Sequence, residues 1–308
     1  MTTDEIAELR KSYNATVASI KLPNEDLMIL RVRPDAGVPP HRPGQYSTLG
    51  MGQWEPRAAG CQEEIPKPGE EKKLIRRAYS ISCSVFDEDG NLPERANQDW
   101  LEFYIVLVRQ ADKAPPALTP RLFMLTQGGR LFLGAKIAGH YTLEPVKPTD
   151  NVVFLSTGTG EAPHNYMLWE LLRNNHQGKI LSACCVRYRR DLAYVPIQQE
   201  LTRRYPNYTY LSLTTREADN AGNKVYIQDL ITSGQLEERL GEALDPTRTH
   251  VYLCGNPKMI GAPGIDKATG AAVYPQPPGV IEILSKRGFR MDQPSLKLKG
   301  NIHIEEYW

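Results

Sequence analysis

The sequence predicts two domains, an antiparallel β-barrel followed by an α/β domain built on a parallel sheet. The chain has 308 residues, which exceeds the roughly 100–200 residues of a typical single domain. Its first half contains short apolar runs of period two, whereas strands and helices alternate in its second half. A segment at 144–150 with two prolines separates these patterns, so we place the domains at 1–148 and 149–308.

The first half shows strand-like runs that Gly, Pro and Asp interrupt, as expected of an antiparallel barrel. These runs cover residues 15–22, 28–32, 45–49, 78–82, 101–108 and 130–137. Residues 50–73 mix Gly, Pro and charged residues without periodicity. That composition favours a long exposed loop inserted between two strands.

The second half alternates strands and helices. Strands are predicted at 152–156, 180–186, 208–214 and 251–254, and helices at 165–174, 196–205 and 228–240. This order predicts a parallel sheet with helical crossovers, because tight turns cannot join parallel strands. We therefore expect a Rossmann-like domain, with a second insertion at 261–278 and a final strand within 300–306.

Composition excludes several classes of function. The formal net charge is +1 and 24% of residues are charged, so no global field favours nucleic acid or an anionic membrane. No apolar run approaches the roughly 20 residues of a membrane span, and the polar, acidic start is unlike a signal peptide. We expect a cytoplasmic protein that is a monomer.

The cysteines predict reduced thiols and no metal site. The chain has five, scattered and without a C-x-x-C pair: Cys61, Cys83, Cys184, Cys185 and Cys254. This pattern argues against a disulfide framework, a structural zinc or a plant-type iron–sulfur cluster. A chain of this kind needs another carrier to handle single electrons.

One strand-to-helix turn suggests a phosphate site. The strand at 152–156 leads directly into Thr157, Gly158, Thr159 and Gly160, and then into a helix. Glycines there let the backbone approach a pyrophosphate, whose charge meets the helix N-terminus. Two glycines without the usual third are a weak signal, however, because an ordinary tight turn would look the same.

This turn becomes informative together with other blocks of the sequence. Thr157-Gly-Thr-Gly-Glu-Ala-Pro163 resembles the pyrophosphate turn of the ferredoxin/flavodoxin–NADP⁺ reductase family. Arg77-Ala-Tyr-Ser80 is similar to the family's flavin motif, and Cys254-Gly-Asn-Pro257 followed by Met259 is similar to its C-G-x-P-x-M turn. The final residues, Glu305-Glu-Tyr-Trp308, resemble its C-terminus. These blocks occur in family order along nearly the whole chain.

The resemblance implies an FAD site on the barrel. Arg77 would pair with the FAD pyrophosphate, as a bidentate guanidinium can. Tyr79 would present an aromatic face to the flavin, and Ser80 a hydroxyl near its N5 atom. Tyr104 and Val106 would face the cofactor from the next flavin strand. Thr142 follows Gly139 in a turn beside the FAD phosphates, where the sequence departs somewhat from the family.

The resemblance also implies that the coenzyme is NADP(H). A 2′-phosphate requires cations where NAD enzymes place an acidic residue, and residues 214–229 are similar to the family's S/T-R…K-x-Y-x-Q segment. Taken without the motifs that flank them, these basic residues would more often be solvated surface. The implied ligands are Arg187, Thr215, Arg216 and Lys224, with Tyr226 under the adenine and Gln228 nearby.

The function implied is exchange of a hydride between NADP(H) and FAD, and of single electrons between FAD and ferredoxin or flavodoxin. Ser80, Cys254 and Glu305 match family positions around the nicotinamide and N5. Two alternatives stay open, an NADPH diaphorase or quinone reductase and a nucleotide-binding subunit of a larger electron-transfer complex. Basic clusters that could meet an acidic partner are Lys72–Lys73, Arg76, Arg189–Arg190 and Lys297–Lys299.

The terminal aromatic residues generate a prediction. By resemblance Tyr307 covers the flavin face that the nicotinamide must use, and Trp308 reaches the FAD adenine. Tyr307→Ser should therefore tighten NADP⁺ binding and alter the flavin spectrum, whereas Trp308→Ala should weaken FAD retention. Stacking energies of about 0.5–1.5 kcal/mol set the scale at a few-fold to roughly tenfold in affinity. Titration with NADP⁺ tests this, and unchanged affinity and absorbance in Tyr307→Ser would leave these rings a packing role only.

Overall fold

The structure is a computed structural model that describes residues 1–220, 222–269, 271–292 and 299–306. Within these ranges no helix is both long and apolar enough to cross a membrane. A short helix that the sequence pattern did not predict, α1 (Thr3–Arg10), precedes the first strand. It begins with a capping box, in which Thr2 and Glu5 each bond the other's backbone N–H.

The first part of the chain forms a six-stranded antiparallel sheet, as predicted. Its strands are β1 (Ala15–Asn24), β2 (Leu27–Pro34), β3 (Tyr46–Gly52), β4 (Leu74–Ser80), β5 (Leu101–Val106) and β6 (Arg130–Leu133), with helix α2 (Thr119–Leu122) before the last strand. The spatial order is β4-β3-β6-β1-β2-β5. The long insertion lies between β3 and β4, but β3 extends into it and shortens it, because β3 stays paired with β4 as far as Gly52 opposite Leu74.

The sheet curls so that its two edges meet, as in a barrel. Ser82, just beyond β4, donates its backbone N–H to the carbonyl of Glu102 on β5 at 2.7 Å. The interior is apolar, with Leu30, Leu49 and Phe103 fully buried. Closing the sheet buries the edge groups that would otherwise be unpaired.

The second part is a five-stranded parallel sheet with helical crossovers, again as predicted. Its strands are β7 (Asn151–Thr157), β8 (Ile180–Val186), β9 (Tyr208–Thr214), β10 (Thr249–Gly255) and β13 (Ile302–Glu306), in the order β13-β10-β7-β8-β9. Helices are α3 (Glu161–Arg173), α4 (Val195–Arg204), α5 (Ile227–Thr232), α6 (Gln235–Leu240), α7 (Pro257–Ile260) and α8 (Val280–Ser285). The chain reverses its direction of winding between β7 and β10.

Two details differ from the sequence prediction or add to it. The helix expected at 228–240 is two helices, α5 and α6, because Gly234 between them has a left-handed φ of 80°. The insertion at 261–278 contains a small hairpin of β11 (Gly264–Ile265) and β12 (Ala272–Val273). The exact division into domains at residue 148 stays a prediction.

A buried polar network joins the barrel to the parallel sheet. The Tyr194 hydroxyl donates to the Glu102 carboxylate at 3.3 Å and lies 3.2 Å from the Ser82 hydroxyl. Glu102 also accepts from the Ser84 hydroxyl at 2.6 Å and from Arg31 at 3.0 Å. Glu102 and Tyr194 are each only 1% exposed, so these bonds fix where the two sheets meet.

Candidate coenzyme and flavin site

The parallel sheet has a topological switch point between β7 and β10, which lie side by side at its centre. In open α/β sheets, ligands bind beyond the carboxyl ends of the strands at such a point. The predicted pyrophosphate turn follows β7 and the predicted Cys254 turn follows β10. The topology therefore brings these two motifs together.

The pyrophosphate turn is tightly wound and open on its outer side. Gly158–Gly160 form one turn of 3₁₀ helix that continues directly into α3. Gly158 has a φ of 54°, and a Cβ added there would meet no atom within 4 Å. The turn thus leaves room for a ligand at the start of a helix of 13 residues, whose N-terminal amides favour an anion.

The two turns pack against each other through glycines. A Cβ on Gly160 would lie 2.3 Å from the carbonyl oxygen of Cys254, and one on Gly255 would lie 2.3 Å from Thr157 Oγ1. Gly255 also has a φ of 122°. The backbone N–H of Asn256 donates to Thr157 Oγ1 at 2.7 Å. Only glycine allows this approach at both positions.

Cys254 and Glu305 are neighbours across β10 and β13. Their Cα atoms are paired in the parallel register, and Cys254 pairs on its other side with Ser156. Cys254 is fully buried, whereas Glu305 is half-buried. Burial raises the pKa of the Glu305 carboxyl from 4.5 to about 7, so this group can hold a proton near neutral pH.

The R-x-Y-S motif, predicted to contact FAD, lies at the end of β4. Arg77 is exposed, and its guanidinium donates to the carbonyl of Arg76 at 2.7 Å. Tyr79 is half-buried against the barrel core. Ser80 is 5% exposed, and its hydroxyl finds no hydrogen-bond partner in the described part of the chain. Among the described residues the Ser80 hydroxyl lacks a partner and the Arg77 guanidinium lacks an acidic one, which fits FAD, since FAD would offer acceptors to both.

The remaining residues expected around FAD are also placed by the structure. Tyr104 is buried, donates to the carbonyl of Asp191 at 3.1 Å and packs edge-on against Tyr194. Val106 is half-buried beside them. Thr142 is buried, and its carbonyl accepts from the Tyr252 hydroxyl at 3.0 Å. Tyr104 and Val106 therefore lie where the two domains meet.

The predicted 2′-phosphate ligands follow β8 and β9 at the same carboxyl edge. Arg216 and Lys224 are exposed, and neither side chain has an ion-pair or hydrogen-bond partner among residues the structure describes. Arg187 instead forms an ion pair with Asp191 at 3.4 Å. The Thr215 hydroxyl donates to the carbonyl of Val186 at 3.2 Å.

The rest of this segment supplies an exposed ring and a bridging amide. Tyr226 is 46% exposed, as an adenine platform would be. Gln228 donates to the carbonyl of Lys258 at 3.3 Å, which links the segment to α7. Tyr307 and Trp308, expected at the flavin, lie outside the described residues.

Most side chains of the predicted basic clusters form ion pairs or stack on aromatic rings. Lys72 pairs with Glu5 at 2.9 Å, Lys73 pairs with Glu70 at 3.5 Å, and Arg189 pairs with Asp219. The Arg76 guanidinium stacks over Phe132 and that of Arg190 over Tyr188. Lys299 lies 4.0 Å from Glu144, and Lys297 is outside the described residues.

Comparison with known proteins agrees with this geometry. A family profile described as Oxidoreductase NAD-binding domain matches residues 154–263. A flavodoxin/ferredoxin–NADP reductase of Shigella flexneri is 32% identical over 227 residues, which cover 73% of this chain and 78% of that protein. A protein of the same name from Buchnera aphidicola is 28% identical over 300 residues, covering 96% and 98%.

Solved structures show the same fold. A ferredoxin NADP⁺ reductase from Neisseria gonorrhoeae, crystallised with bound FAD and NADP, has a TM-score of 0.67. It is 21% identical, and the match covers 95% of this chain and 97% of that one. A ferredoxin-NADP⁺ reductase from Plasmodium falciparum with 2′P-AMP has a TM-score of 0.61 at 16% identity.

A barrel joined to a parallel sheet with a glycine-rich switch point defines the fold of a two-domain oxidoreductase. The chain belongs to the flavodoxin/ferredoxin–NADP reductase family. The predictions of fold, family and enzyme class are thereby confirmed. The roles of individual residues stay predictions.

The glycine contact between the two turns can be tested directly. Gly160→Ala would force its Cβ against the Cys254 carbonyl, and overpacking of this kind typically costs about 1–3 kcal/mol. We expect the free energy of unfolding to fall by that amount and NADP⁺ to bind more weakly. Gly264→Ala is the control, because its Cβ would meet nothing closer than 4.0 Å. Denaturant unfolding and NADP⁺ titration that cannot tell the two variants apart would contradict the contact.

Proposed function

We propose that this protein exchanges a hydride between NADP(H) and FAD and passes single electrons between FAD and ferredoxin or flavodoxin. The observation that carries the proposal is the contact between the Thr157–Gly160 and Cys254–Asn256 turns at the switch point. Pyrophosphate and nicotinamide sites are thereby held a fixed distance apart. Membership of the reductase family supports the same reaction.

Different residues bind FAD and the nicotinamide coenzyme in this proposal. FAD, when bound, accepts a hydride as a pair of electrons and releases the electrons singly. Arg77 binds its pyrophosphate, Tyr79 packs on its ring system, and the Ser80 hydroxyl gains the partner that it lacks among the described residues. On the coenzyme side, Arg216 and Lys224 hold the 2′-phosphate.

The reacting end of the coenzyme lies beside Cys254 and Glu305 in this proposal. Cys254 is buried and packs the turn that borders the nicotinamide. Glu305 carries a proton near neutral pH because its carboxyl is desolvated. It can thus donate a hydrogen bond to the reacting groups without adding a negative charge.

The proposal also covers the oligomeric state of the protein, its location and the docking of its acceptor. We propose that the protein is monomeric and cytoplasmic and that its acceptor docks transiently, without a nucleic-acid partner. The partly neutralised basic clusters favour a docking surface that depends on shape as well as charge.

The experiment that tests the function uses the purified protein. It should be yellow, and NADPH should bleach it anaerobically without another subunit. Reduction of ferredoxin and flavodoxin is then measured side by side, with a quinone as the third acceptor. A protein that retains FAD but is not bleached by NADPH would be a binding subunit, and efficient reduction of the quinone alone would favour a diaphorase.

Coenzyme choice gives a prediction about Arg216 and Lys224. Each removed charge-assisted contact should cost on the order of 1.5–3 kcal/mol, or about ten- to a hundredfold in NADPH affinity. NADH binding should hardly change in Arg216→Ala, Lys224→Ala or the double variant. Lys267→Ala, at an exposed position on the 261–278 insertion, is a charge-matched control. The comparison needs steady-state kinetics with both coenzymes, and equal efficiency with NADH and NADPH in the unmodified protein would contradict the assignment.

The raised pKa of Glu305 predicts a pH profile. Since the carboxyl is protonated below its pKa of about 7, the rate of hydride transfer should fall as the pH rises through that value. Glu305→Gln keeps a neutral hydrogen-bond donor but cannot ionise, so it should retain the low-pH rate and lose this dependence. Glu306→Gln, at the exposed neighbouring position, should keep the original profile. Stopped-flow bleaching of the flavin supplies the rates, and a profile in Glu305→Gln that matches the unmodified protein would exclude the role.

A further inference from the structure

A buried glutamate, Glu161, directly follows the pyrophosphate turn in the sequence. Glu161 is the first residue of α3 and is 3% exposed. Its backbone N–H bonds the carbonyls of Gly158 and Thr159. The residue therefore belongs to the turn through its backbone, while its side chain extends into the protein interior.

Neutral donors surround this carboxyl. Its Oε1 accepts from the Tyr210 hydroxyl at 3.0 Å and from Gln198 Nε2 at 3.3 Å. Gln198 is held in this orientation, since its Oε1 accepts from Tyr208 at 2.7 Å and its Nε2 also donates to Asn165 at 2.7 Å. The Cys184 thiol also forms a hydrogen bond with this carboxyl.

No cation offsets a charge at this position in the described ranges. The ionisable groups that face Glu161 come from β5, β8, the start of α4 and β9: Tyr104, Cys184, Tyr194, Tyr208 and Tyr210. All of them are acids that are neutral near pH 7, because burial raises the pKa of each. Burying a carboxylate without a cation is costly, so the neutral form is favoured.

The turn above Glu161 must receive an anion if the proposed function holds. Its outer side is open at Gly158, and it leads into the N-terminus of α3, where the helix dipole favours an anion. An ionised Glu161 would place a negative charge at the same helix N-terminus. This charge would weaken the attraction of the helix dipole for the coenzyme and would repel the pyrophosphate.

We infer that Glu161 is a positioning residue whose carboxyl must be protonated for the turn to hold NADP(H) tightly, which makes coenzyme affinity depend on pH. This inference rests on the proposed function, because it assumes that the pyrophosphate binds here. Desolvation raises the pKa of Glu161 to about 7, with the bonds from Tyr210 and Gln198 acting in the opposite direction. The transition therefore falls within the physiological range.

Proton linkage determines whether coenzyme affinity rises or falls with pH. Coenzyme binding favours the protonated carboxyl and raises its pKa further, so affinity is highest below the pKa of the free protein. Above it, the dissociation constant should rise by up to about tenfold per pH unit until the pKa of the complex is passed. The 2′-phosphate does not interfere there, because a phosphate monoester with a second pKa of about 6 is already a dianion.

The test compares NADP⁺ binding to the FAD-loaded protein and to Glu161→Gln, by titration between about pH 7 and 9. We expect the dissociation constant of the unmodified protein to rise roughly threefold or more, and that of Glu161→Gln to stay nearly constant. Gln keeps the shape and the acceptor oxygen but cannot ionise. The control ligand is 2′-AMP, which carries the 2′-phosphate without a pyrophosphate and should show no difference between the two proteins.

The outcomes separate this inference from the function on which it rests. An equal rise in both proteins, or no rise in the unmodified protein, would overturn the role of Glu161. Failure of NADP⁺ to bind at any pH would overturn the proposed function instead. Should Glu161→Gln not fold, Tyr210→Phe provides the second test. Losing that hydroxyl removes a bond that lowers the carboxyl's pKa, so the fall in affinity should move to higher pH, and an unmoved transition would count against the inference.

Discussion

The site depends above all on the close contact of two backbone turns at the switch point of the parallel sheet. Gly160 lies against the Cys254 carbonyl and Gly255 against Thr157, at distances that exclude any Cβ. Because β7 and β10 are adjacent and in register from Thr249 to Cys254, the turns that follow them cannot move independently. If the coenzyme binds as proposed, the sheet sets the separation of its pyrophosphate and nicotinamide ends before any ligand binds.

A second constraint fixes the flavin strand relative to that edge. Glu102, on β5, is buried, pairs with the half-buried Arg31 and accepts from Tyr194, which lies just before α4. Tyr194 also contacts Ser82, two residues beyond Ser80. Removing one partner of a buried charged network costs far more than an exposed pair contributes. The orientation of the two domains is therefore maintained by the same residues that close the barrel.

Sequence patterns predicted most of this architecture, and the exceptions have physical causes. Period-two runs and the alternation of strands and helices located both sheets, because burial on one face or both dictates those patterns. The pattern missed α1, which buries no residue and depends on its capping box. It also missed the break between α5 and α6. The apolar periodicity continues across both helices, but the left-handed Gly234 ends the first of them. The burial of Glu161 could not be predicted from the sequence, because no local pattern shows that an acidic residue will be buried. Its side chain becomes enclosed only when β5, β8, β9 and the start of α4 pack together with α3.

The distribution of charge along the carboxyl edge now has a single physical explanation. Arg216 and Lys224 are exposed and unpaired within the described chain, where solvent can hydrate them until a phosphate arrives. Glu161 and Glu305, by contrast, are withdrawn from solvent, and burial raises the pKa of both to about 7. Full ionisation at either position would place a negative charge beside an anionic coenzyme in a region of low dielectric, where such repulsion is strong. In the proposed function, positive charge is thus concentrated where the coenzyme is recognised, and the acids nearest its pyrophosphate and reacting ring are held close to neutrality. One edge of the sheet could then attract a polyanion and still keep protons available.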